Sequence, residues 1–322
     1  MSGRESGILP GNPPGSQPIR HGLFSRGLSG SQLKLAAVIT MLIDHTAFLL
    51  LGRGWLPALA EQLRLLAATG SGIRQPAYAT LLASYQNWVL VYRTMRTMGR
   101  VAFPIYAFLL VEGYCHTRDW RRYGARLGIF ALVSEIPFDL VTTGSMFSPM
   151  VQNVFFTLLI GLLTLKALDF LGNPSASPGQ SSRSAFPGQS SQSASPGPSS
   201  QPTFQAYQSG MTGSLLRAAV LVGALYLAWY LHTDYDCGGI LLILVFYYFR
   251  AWRQRGCFIG LFWMMCVSGT WYYLPGYMAS FGLIWLYNGQ RGRQPWPWKM
   301  AYYLFYPLHL LALYGIYAFV IV

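Results

Sequence analysis

The sequence contains few charged residues. Asp, Glu, Lys and Arg make up 10% of its 322 residues, whereas soluble domains carry about 25%. Hydrophobic residues reach 53%. The shortage of charge, together with apolar runs spread along the chain, excludes an ordinary soluble domain and predicts a polytopic membrane protein.

Acidic residues are scarcer than basic ones, with 10 against 23 and a net charge of +13. A nucleic-acid partner is not expected, because the basic residues lie in short clusters between apolar runs and no nucleic-acid-binding motif accompanies them. If the N-terminus is cytosolic, most basic residues fall on the inner side, as the positive-inside rule requires. We therefore predict a multi-pass protein of the cell membrane with a cytosolic N-terminus. Arg93, Arg96 and Arg100 are the discordant cluster, on the predicted outer side.

Cysteine is also scarce, and the four cysteines form no CxxC pair. They are interpreted as small apolar side chains within membrane helices. The HTDYD segment at 232–236 could ligate a metal, but it lacks a recognised ligand spacing. No metal is expected.

The apolar runs predict an all-α fold, a membrane helical bundle of about nine transmembrane helices. The predicted segments are 33–51, 99–115, 124–143, 150–170, 214–231, 237–250, 257–274, 276–288 and 300–320.

Three regions lie outside these segments. Residues 1–30 are rich in Gly, Ser and Pro and are predicted to be a disordered cytosolic N-terminus. Residues 52–97 are predicted to form a long outer loop. Residues 172–212 hold a Ser/Pro/Gly/Gln repeat, which cannot bury a core and predicts a disordered linker. The linker divides the membrane bundle into a first part, 31–171, and a second part, 213–322.

Ionisable residues inside the predicted helices carry the functional signal. Each costs roughly 2.5–3.5 kcal/mol at the bilayer centre, so such residues commonly line a functional cavity. Pairing with one another as structural contacts is the alternative. The residues are Asp44, His45, Arg100, Glu112, His116, Arg126, Glu135, Asp139 and His309.

His45 gives the most specific hypothesis. It follows Lys34 by eleven residues on one predicted helix, a rise of about 16.5 Å on nearly the same face. Lys34 would then lie at the cytosolic edge, where a phosphate could dock, and His45 near the midplane, where it could act as a general base. A hydrogen-bonded core histidine is the alternative. Asp44 points about 100° away from His45, so we expect its partner on another helix, with Arg100 and Arg126 as candidates.

Two further pairs share helix faces. Glu112 and His116 lie four residues apart, as do Glu135 and Asp139. Each pair could be a proton relay or a cation site, or could meet arginines as a structural contact.

Several stretches together resemble the TraX family of membrane proteins, in the family's order. They are LKLAAVITMLIDHTAF (33–48), GRVAFPIYAFLLVEGYCHTRD (99–119), YGARLGIFALVSEIPFDL (123–140), QNVFFTLLIGLLTL (152–165), DYDCGGILLI (234–243) and FYPLHLLAL (305–313). The loop 52–97 and the tract 172–212 look longer than the family pattern needs.

The resemblance implies an acetyltransferase, because the family's namesake acetylates the N-terminus of conjugative pilin in the inner membrane. The family is also similar to broader membrane acyltransferases, some of which carry Arg, ten residues and then His in the first helix. Lys34 and His45 fit that spacing, with Lys in place of Arg.

Applied to this sequence, the resemblance implies a site with three parts. His45 would deprotonate an amine or hydroxyl acceptor, with Asp44, Arg100 and His309 completing the catalytic pocket. Acetyl-CoA, the acyl donor, would dock near Lys34, Arg122 and Arg126. The other polar cavity residues would be Glu112, His116, Glu135, Asp139 and Asn153.

The partners expected are the lipid bilayer and an acceptor protein or glycan at the membrane. Two alternatives remain open at this level. One is a proton-coupled transporter that uses His45 and the carboxylates as a relay. The other is a non-enzymatic membrane component of a conjugation or surface-assembly system.

Overall fold

The protein is helical throughout the part that the computed structural model describes, residues 27–68, 75–172, 204–292 and 296–320. Within this part, eleven α-helices follow one another. They are α1 Gly30–Thr46, α2 Leu56–Ala68, α3 Pro76–Gly99, α4 Ala102–His116, α5 Trp120–Thr142, α6 Val154–Gly172, α7 Phe204–Tyr230, α8 Asp236–Tyr248, α9 Arg253–Ser268, α10 Leu274–Trp285 and α11 Trp296–Val320. The predicted all-α class is confirmed.

Four of the described helical stretches are long and apolar enough to cross a membrane. They are Gly30–Ala68, Val154–Gly172, Thr212–Tyr230 and Met300–Val320. The shorter helix α8 is also strongly apolar. These stretches are those of a membrane helical protein. The predicted number of about nine crossings stays a prediction.

Helix α1 begins with a complete capping box. The Ser29 hydroxyl accepts a hydrogen bond from the Gln32 N–H, and the Gln32 side chain accepts one from the Ser29 N–H. This arrangement satisfies two amide groups that a helix start otherwise leaves unpaired. At its other end α1 continues into a nine-residue π-helical stretch, Ala47–Trp55, and then into α2. Stretches of π-helix are rare and often lie at functional sites, and this one directly follows Asp44 and His45.

The prediction of a loop over residues 52–97 is wrong, whereas their placement on the outer side stays a prediction. These residues form the end of the π-helical stretch and the helices α2 and α3, which pack against each other. Helix α2 buries Leu59 and Leu63, four residues apart on one face, while most of its other positions are polar or exposed. This is the pattern of an amphipathic helix. A search for continuous apolar runs does not detect such a helix, because polar residues interrupt every run.

Two other predicted boundaries change. Helix α7 begins at Phe204, inside the predicted linker 172–212; residues 173–203 lie outside the described part. Within the predicted disordered segment 1–30, residues 1–26 also lie outside it. Leu28, however, is held by two backbone hydrogen bonds, donating its N–H to Leu286 and accepting from Asn288. The chain just before α1 is therefore anchored to the end of α10.

One continuous core joins the helices. Helix α4 is buried along most of its length and packs on α1, α8 and α10, while α11 packs mainly on α5. The helices α4, α8 and α10 all begin at the level of the last turn of α1. The polar residues described next lie where these helix ends meet.

Candidate active site

A pair of histidines joins the first and last helices. His45 Nδ1 on α1 lies 2.7 Å from His309 Nε2 on α11. The two ring planes are inclined by 23°, with centroids 4.9 Å apart, and the ring of Tyr306 meets the His45 ring edge-on at 5.9 Å. Phe305 stacks on His309, with centroids 4.6 Å apart. The structure thus brings together two predicted catalytic residues that are 264 positions apart in the sequence.

The hydrogen bonds define which nitrogen of His45 keeps its lone pair. His309 Nδ1 lies 2.7 Å from the Phe305 carbonyl oxygen, which only accepts, so Nδ1 carries the hydrogen. In a neutral ring the Nε2 atom of His309 is then an acceptor, and His45 Nδ1 must donate to it. The remaining nitrogen of His45, Nε2, keeps its lone pair. His45 is therefore arranged as a base, with His309 holding its orientation.

Asp44 is paired with two arginines from α3 and its end. Its carboxylate lies 2.6 Å from Arg96 Nη1 and 3.3 Å from Arg100 Nη2. All three side chains are mostly buried. The predicted partner Arg100 is therefore confirmed, Arg96 was missed, and the other candidate, Arg126, is wrong, because it lies exposed on α5 over the ring of Tyr123.

A glycine makes room for this ion pair. A Cβ atom at Gly99 would lie 2.1 Å from Asp44 Oδ1, which is far inside van der Waals contact. The close approach of α3 to the Asp44 side chain therefore requires glycine at this position. The buried carboxylate also explains the discordant arginine cluster of the sequence, because it neutralises part of that cluster.

Asp234 faces the same group of charges and was not predicted as a site residue. Its side chain keeps exposed surface, although many protein atoms surround it. Burial raises the pKa of Asp234 to about 6; Arg100 and Arg96 act against this rise, and Asp44 adds to it. Two arginines and two carboxylates therefore meet beside the histidine pair, with no net formal charge when both carboxylates are ionised.

The turn that carries Asp234 is tightly held. The Asp234 N–H donates to the Gln152 carbonyl at 2.9 Å, and the Gln152 N–H donates to the His232 carbonyl at 3.0 Å. Two residues of the turn, His232 and Asp236, have positive φ angles of 49° and 45°. Such a conformation is strained for residues other than glycine and is often retained at functional sites. Tyr235, which directly follows Asp234, stacks on Phe103 with centroids 3.5 Å apart.

Glu135, Asp139 and Asn153 connect α5 to the start of α6. The Asn153 side chain donates to Glu135 and to the Ala131 carbonyl. Asp139 accepts a hydrogen bond from the Ser148 N–H at 2.8 Å. In the described part of the chain, the partners of Glu135 and Asp139 are thus amide and backbone groups, not the arginines that the structural alternative expected.

The remaining predicted residues lie at the opposite end of the bundle, where α1 begins. Arg122 is exposed and pairs with Asp119 at 3.0 Å, Arg126 is exposed, and Lys34 is half-buried on α1. The docking of acetyl-CoA at these three residues stays a prediction.

The second predicted pair also lies at this end. The His116 side chain is exposed and directs Nδ1 to the Glu112 carbonyl at 2.8 Å. The Glu112 carboxylate faces the hydroxyl of Tyr287. Glu112 and His116 lie in the last turns of α4, away from the histidine pair, and do not contact it. Among the described residues, no group of three His, Cys, Asp or Glu side chains could hold a metal ion.

Comparison with known proteins gives the family. The TraX protein family model matches residues 29–173 and 203–317, which contain both histidines, Asp44, both arginines and Asp234. The probable fimbrial assembly protein FimC, serogroup H1, of Dichelobacter nodosus is 29% identical over 144 residues. That match covers 42% of this chain and 45% of the relative, so less than half of the relative's length is spanned. No solved structure matches. Since the family model covers most of the chain, this protein belongs to the TraX family.

Proposed function

We propose that this protein is a membrane acyltransferase that moves an acetyl group from acetyl-CoA to an amine or hydroxyl of a surface protein or glycan. The observation that carries the proposal is the hydrogen bond between His45 and His309. It leaves His45 Nε2 as an oriented base, next to the charged group formed by Asp44, Arg96 and Arg100. The family resemblance supplies the type of reaction.

The histidine pair would move the proton of the acceptor. His45 Nε2 takes the proton as the acceptor nitrogen or oxygen attacks the thioester carbonyl. The resulting positive charge on the ring is stabilised because His45 Nδ1–H remains hydrogen-bonded to His309 Nε2. When the tetrahedral intermediate collapses, the carbon–sulfur bond breaks, and the proton passes from His45 to the leaving thiolate. His45 then returns to its starting form.

Arg100 is the group that would stabilise the negative oxygen of the intermediate. Its distances to Asp44, 3.3 and 3.5 Å, are longer than the 2.6 Å between Arg96 and Asp44. Arg96 therefore anchors the carboxylate, while Arg100 is held less tightly and its guanidinium keeps donors for a substrate oxygen. Asp44 would keep both arginines in place.

The acceptor would reach the site from the end opposite to the start of α1. The turn that carries Asp234 and the beginnings of α4, α8 and α10 all lie at this end. Acetyl-CoA would come from the cytosolic side, where the first turns of α1 carry Lys34. This arrangement separates the two substrates on opposite sides of the histidine pair, within the lipid bilayer.

A second candidate is a non-enzymatic role in surface assembly, and the name of the Dichelobacter nodosus relative favours it. In that case residues 173–203 could recruit partners. The family model matches only the first and the last residue of this segment. The two candidates differ in what a deletion of 176–200 does. This deletion keeps α6 and α7 intact, so an enzyme would keep its activity, whereas a recruiting segment would lose its function.

The test is mass spectrometry of membrane proteins and surface polymers from cells with and without the protein. The proposal predicts an acetyl group on at least one surface component that disappears without the protein. It returns with the wild type and with the 176–200 deletion, but not with His45→Ala. If surface assembly is lost while every acetyl group is retained, the assembly role replaces the enzyme.

A further inference from the structure

A cavity lies at the other end of the bundle, away from the histidine pair. It has a volume of about 600 Å³, which is within the usual range for small-molecule sites. Its floor is aromatic, formed by Phe108 of α4 and Phe246 of α8. Its rim is the short connection between α8 and α9, together with Glu112 and Tyr287.

Three arginines of that connection line the cavity, namely Arg250, Arg253 and Arg255. Each is positioned by an uncharged group. Arg253 donates to the Trp285 carbonyl at 3.3 Å, Arg255 lies over the ring of Trp252 at 5.1 Å, and Arg250 contacts the thiol of Cys115. None of the three forms an ion pair with a carboxylate in the described part of the chain.

Among the described residues that line the cavity, one carries a carboxylate, Glu112. This carboxylate is directed to a partner other than the three arginines. The Tyr287 hydroxyl faces it, and burial together with this carboxylate raises the pKa of Tyr287 to about 12. Three guanidinium groups against one carboxylate leave the cavity lining with a formal charge of about +2. An apolar floor under uncompensated positive charge is suited to an anionic ligand.

The start of α9 adds to this potential. Arg253 opens this 16-residue helix, the preceding Trp252 side chain makes no capping hydrogen bond, and the first turn contains no acidic residue. The first backbone N–H groups of the helix thus receive no hydrogen bond from the Trp252 side chain, and the residues that carry them, Arg253, Gln254, Arg255 and Gly256, all line the cavity. Unpaired amides at a helix start favour phosphate oxygens.

We infer that the cavity between the α8–α9 connection, Glu112 and Tyr287 is a binding site for a phosphate-bearing ligand. The arginines bind the phosphate oxygens, the first amides of α9 donate to them, and Phe108 and Phe246 contact the apolar part of the ligand. Arginine forks match phosphate geometry with two parallel hydrogen bonds. A soluble phosphorylated molecule and the phosphorylated headgroup of an anionic lipid share this chemistry. Neither the cavity nor its ligand depends on the reaction proposed for His45.

The experiment measures binding to the purified full-length protein without any acyl group. Calorimetry in detergent uses pyrophosphate and ADP as soluble probes. Native mass spectrometry after reconstitution with phosphatidylcholine, with or without phosphatidylglycerol, tests the lipid source. The variant is the double substitution Arg250→Gln and Arg255→Gln. The matched control is Arg121→Gln, since Arg121 lies at the same end, is exposed and also lies over a tryptophan ring, at 5.9 Å.

We expect the double variant to weaken binding of one probe class by at least about tenfold, while Arg121→Gln changes it less than about twofold. Loss of pyrophosphate or ADP binding identifies a soluble ligand, and loss of retained phosphatidylglycerol identifies a lipid headgroup. Melting temperatures without ligand show whether the variants are folded, and a second variant, Arg255→Gln alone, is used if the double variant is not. If neither probe class distinguishes the pocket variant from Arg121→Gln, the inference is overturned.

Discussion

His45 Nδ1 and His309 Nε2 lie 2.7 Å apart and hold the first and last described helices together at the candidate active site. Because the Phe305 carbonyl fixes the hydrogen on His309 Nδ1, this contact also determines the tautomer of His45. One hydrogen bond therefore both joins two helices and sets the tautomer of His45.

His309 is a positioning residue in this account, so its replacement should reduce the rate without removing the base. We expect His309→Ala to lower kcat by about 10- to 100-fold with little change in KM. His309→Gln should recover part of the loss, because its amide oxygen can accept the hydrogen bond from His45 Nδ1. The measurement is acetyl transfer by purified protein. Equal activities of the alanine and glutamine variants would argue against the orienting role.

The ion pairs of Asp44 should stabilise the fold. Asp44→Asn removes the carboxylate that pairs directly with the mostly buried Arg96 and Arg100, and the loss of one partner of a buried ion pair costs about 3–5 kcal/mol. Thermal unfolding in detergent should show a clear decrease in Tm. The control is Glu61→Gln, since its pair with Arg64 is solvent-exposed and should contribute little. Similar decreases in the two variants would contradict the buried-pair interpretation.

Gly99 should not tolerate a side chain. Gly99→Ala places a Cβ atom 2.1 Å from Asp44 Oδ1, so α3 or the carboxylate must move and the contacts to both arginines must lengthen. We expect both Tm and acetyl transfer to decrease. Gly223→Ala on α7 is the control, because a Cβ atom there meets nothing within 4 Å and alanine favours a helix. An unchanged Gly99→Ala protein would mean that the close approach is not needed.

Part of this arrangement could be predicted from the sequence. An acid and a histidine in an apolar helix indicated a functional cavity, and the 100° between neighbouring residues excluded Asp44 as the partner of His45. His309 was identified as a second member of the site. Its exact relation to His45 could not be predicted, because it depends on how α1 and α11 pack across the whole chain.

Other residues were missed for identifiable reasons. Arg96 lies on α3, in a region interpreted as a loop because polar residues interrupt its apolar runs, although Leu59 and Leu63 on the neighbouring α2 show helical spacing. Asp234 was considered only as a metal ligand. Its place beside Arg100 results from the bridge between Gln152 and the turn before α8, which joins two distant segments and leaves no local pattern.

Asp234 should make stability depend on pH. Burial is the main cause that raises its pKa to about 6, so the folded protein binds a proton more tightly than the unfolded chain. The contribution of Asp234 to the free energy of unfolding is therefore largest below about pH 4. It decreases as the pH rises towards about 6 and is lost above that pH. Asp234→Asn should flatten the fall of Tm between about pH 4 and 6 and raise Tm at about pH 7. A variant with the wild-type slope would exclude Asp234 as the titrating group.

The most direct test of the central claim is the transfer of radiolabelled acetyl from acetyl-CoA to a membrane extract by purified protein. We predict that His45→Ala reduces incorporation by about 10²–10⁴-fold while the protein remains folded. His116→Ala, which removes an exposed histidine at the other end of α4, should keep wild-type incorporation. Incorporation by His45→Ala equal to that of the wild type would contradict the role of His45 as the base.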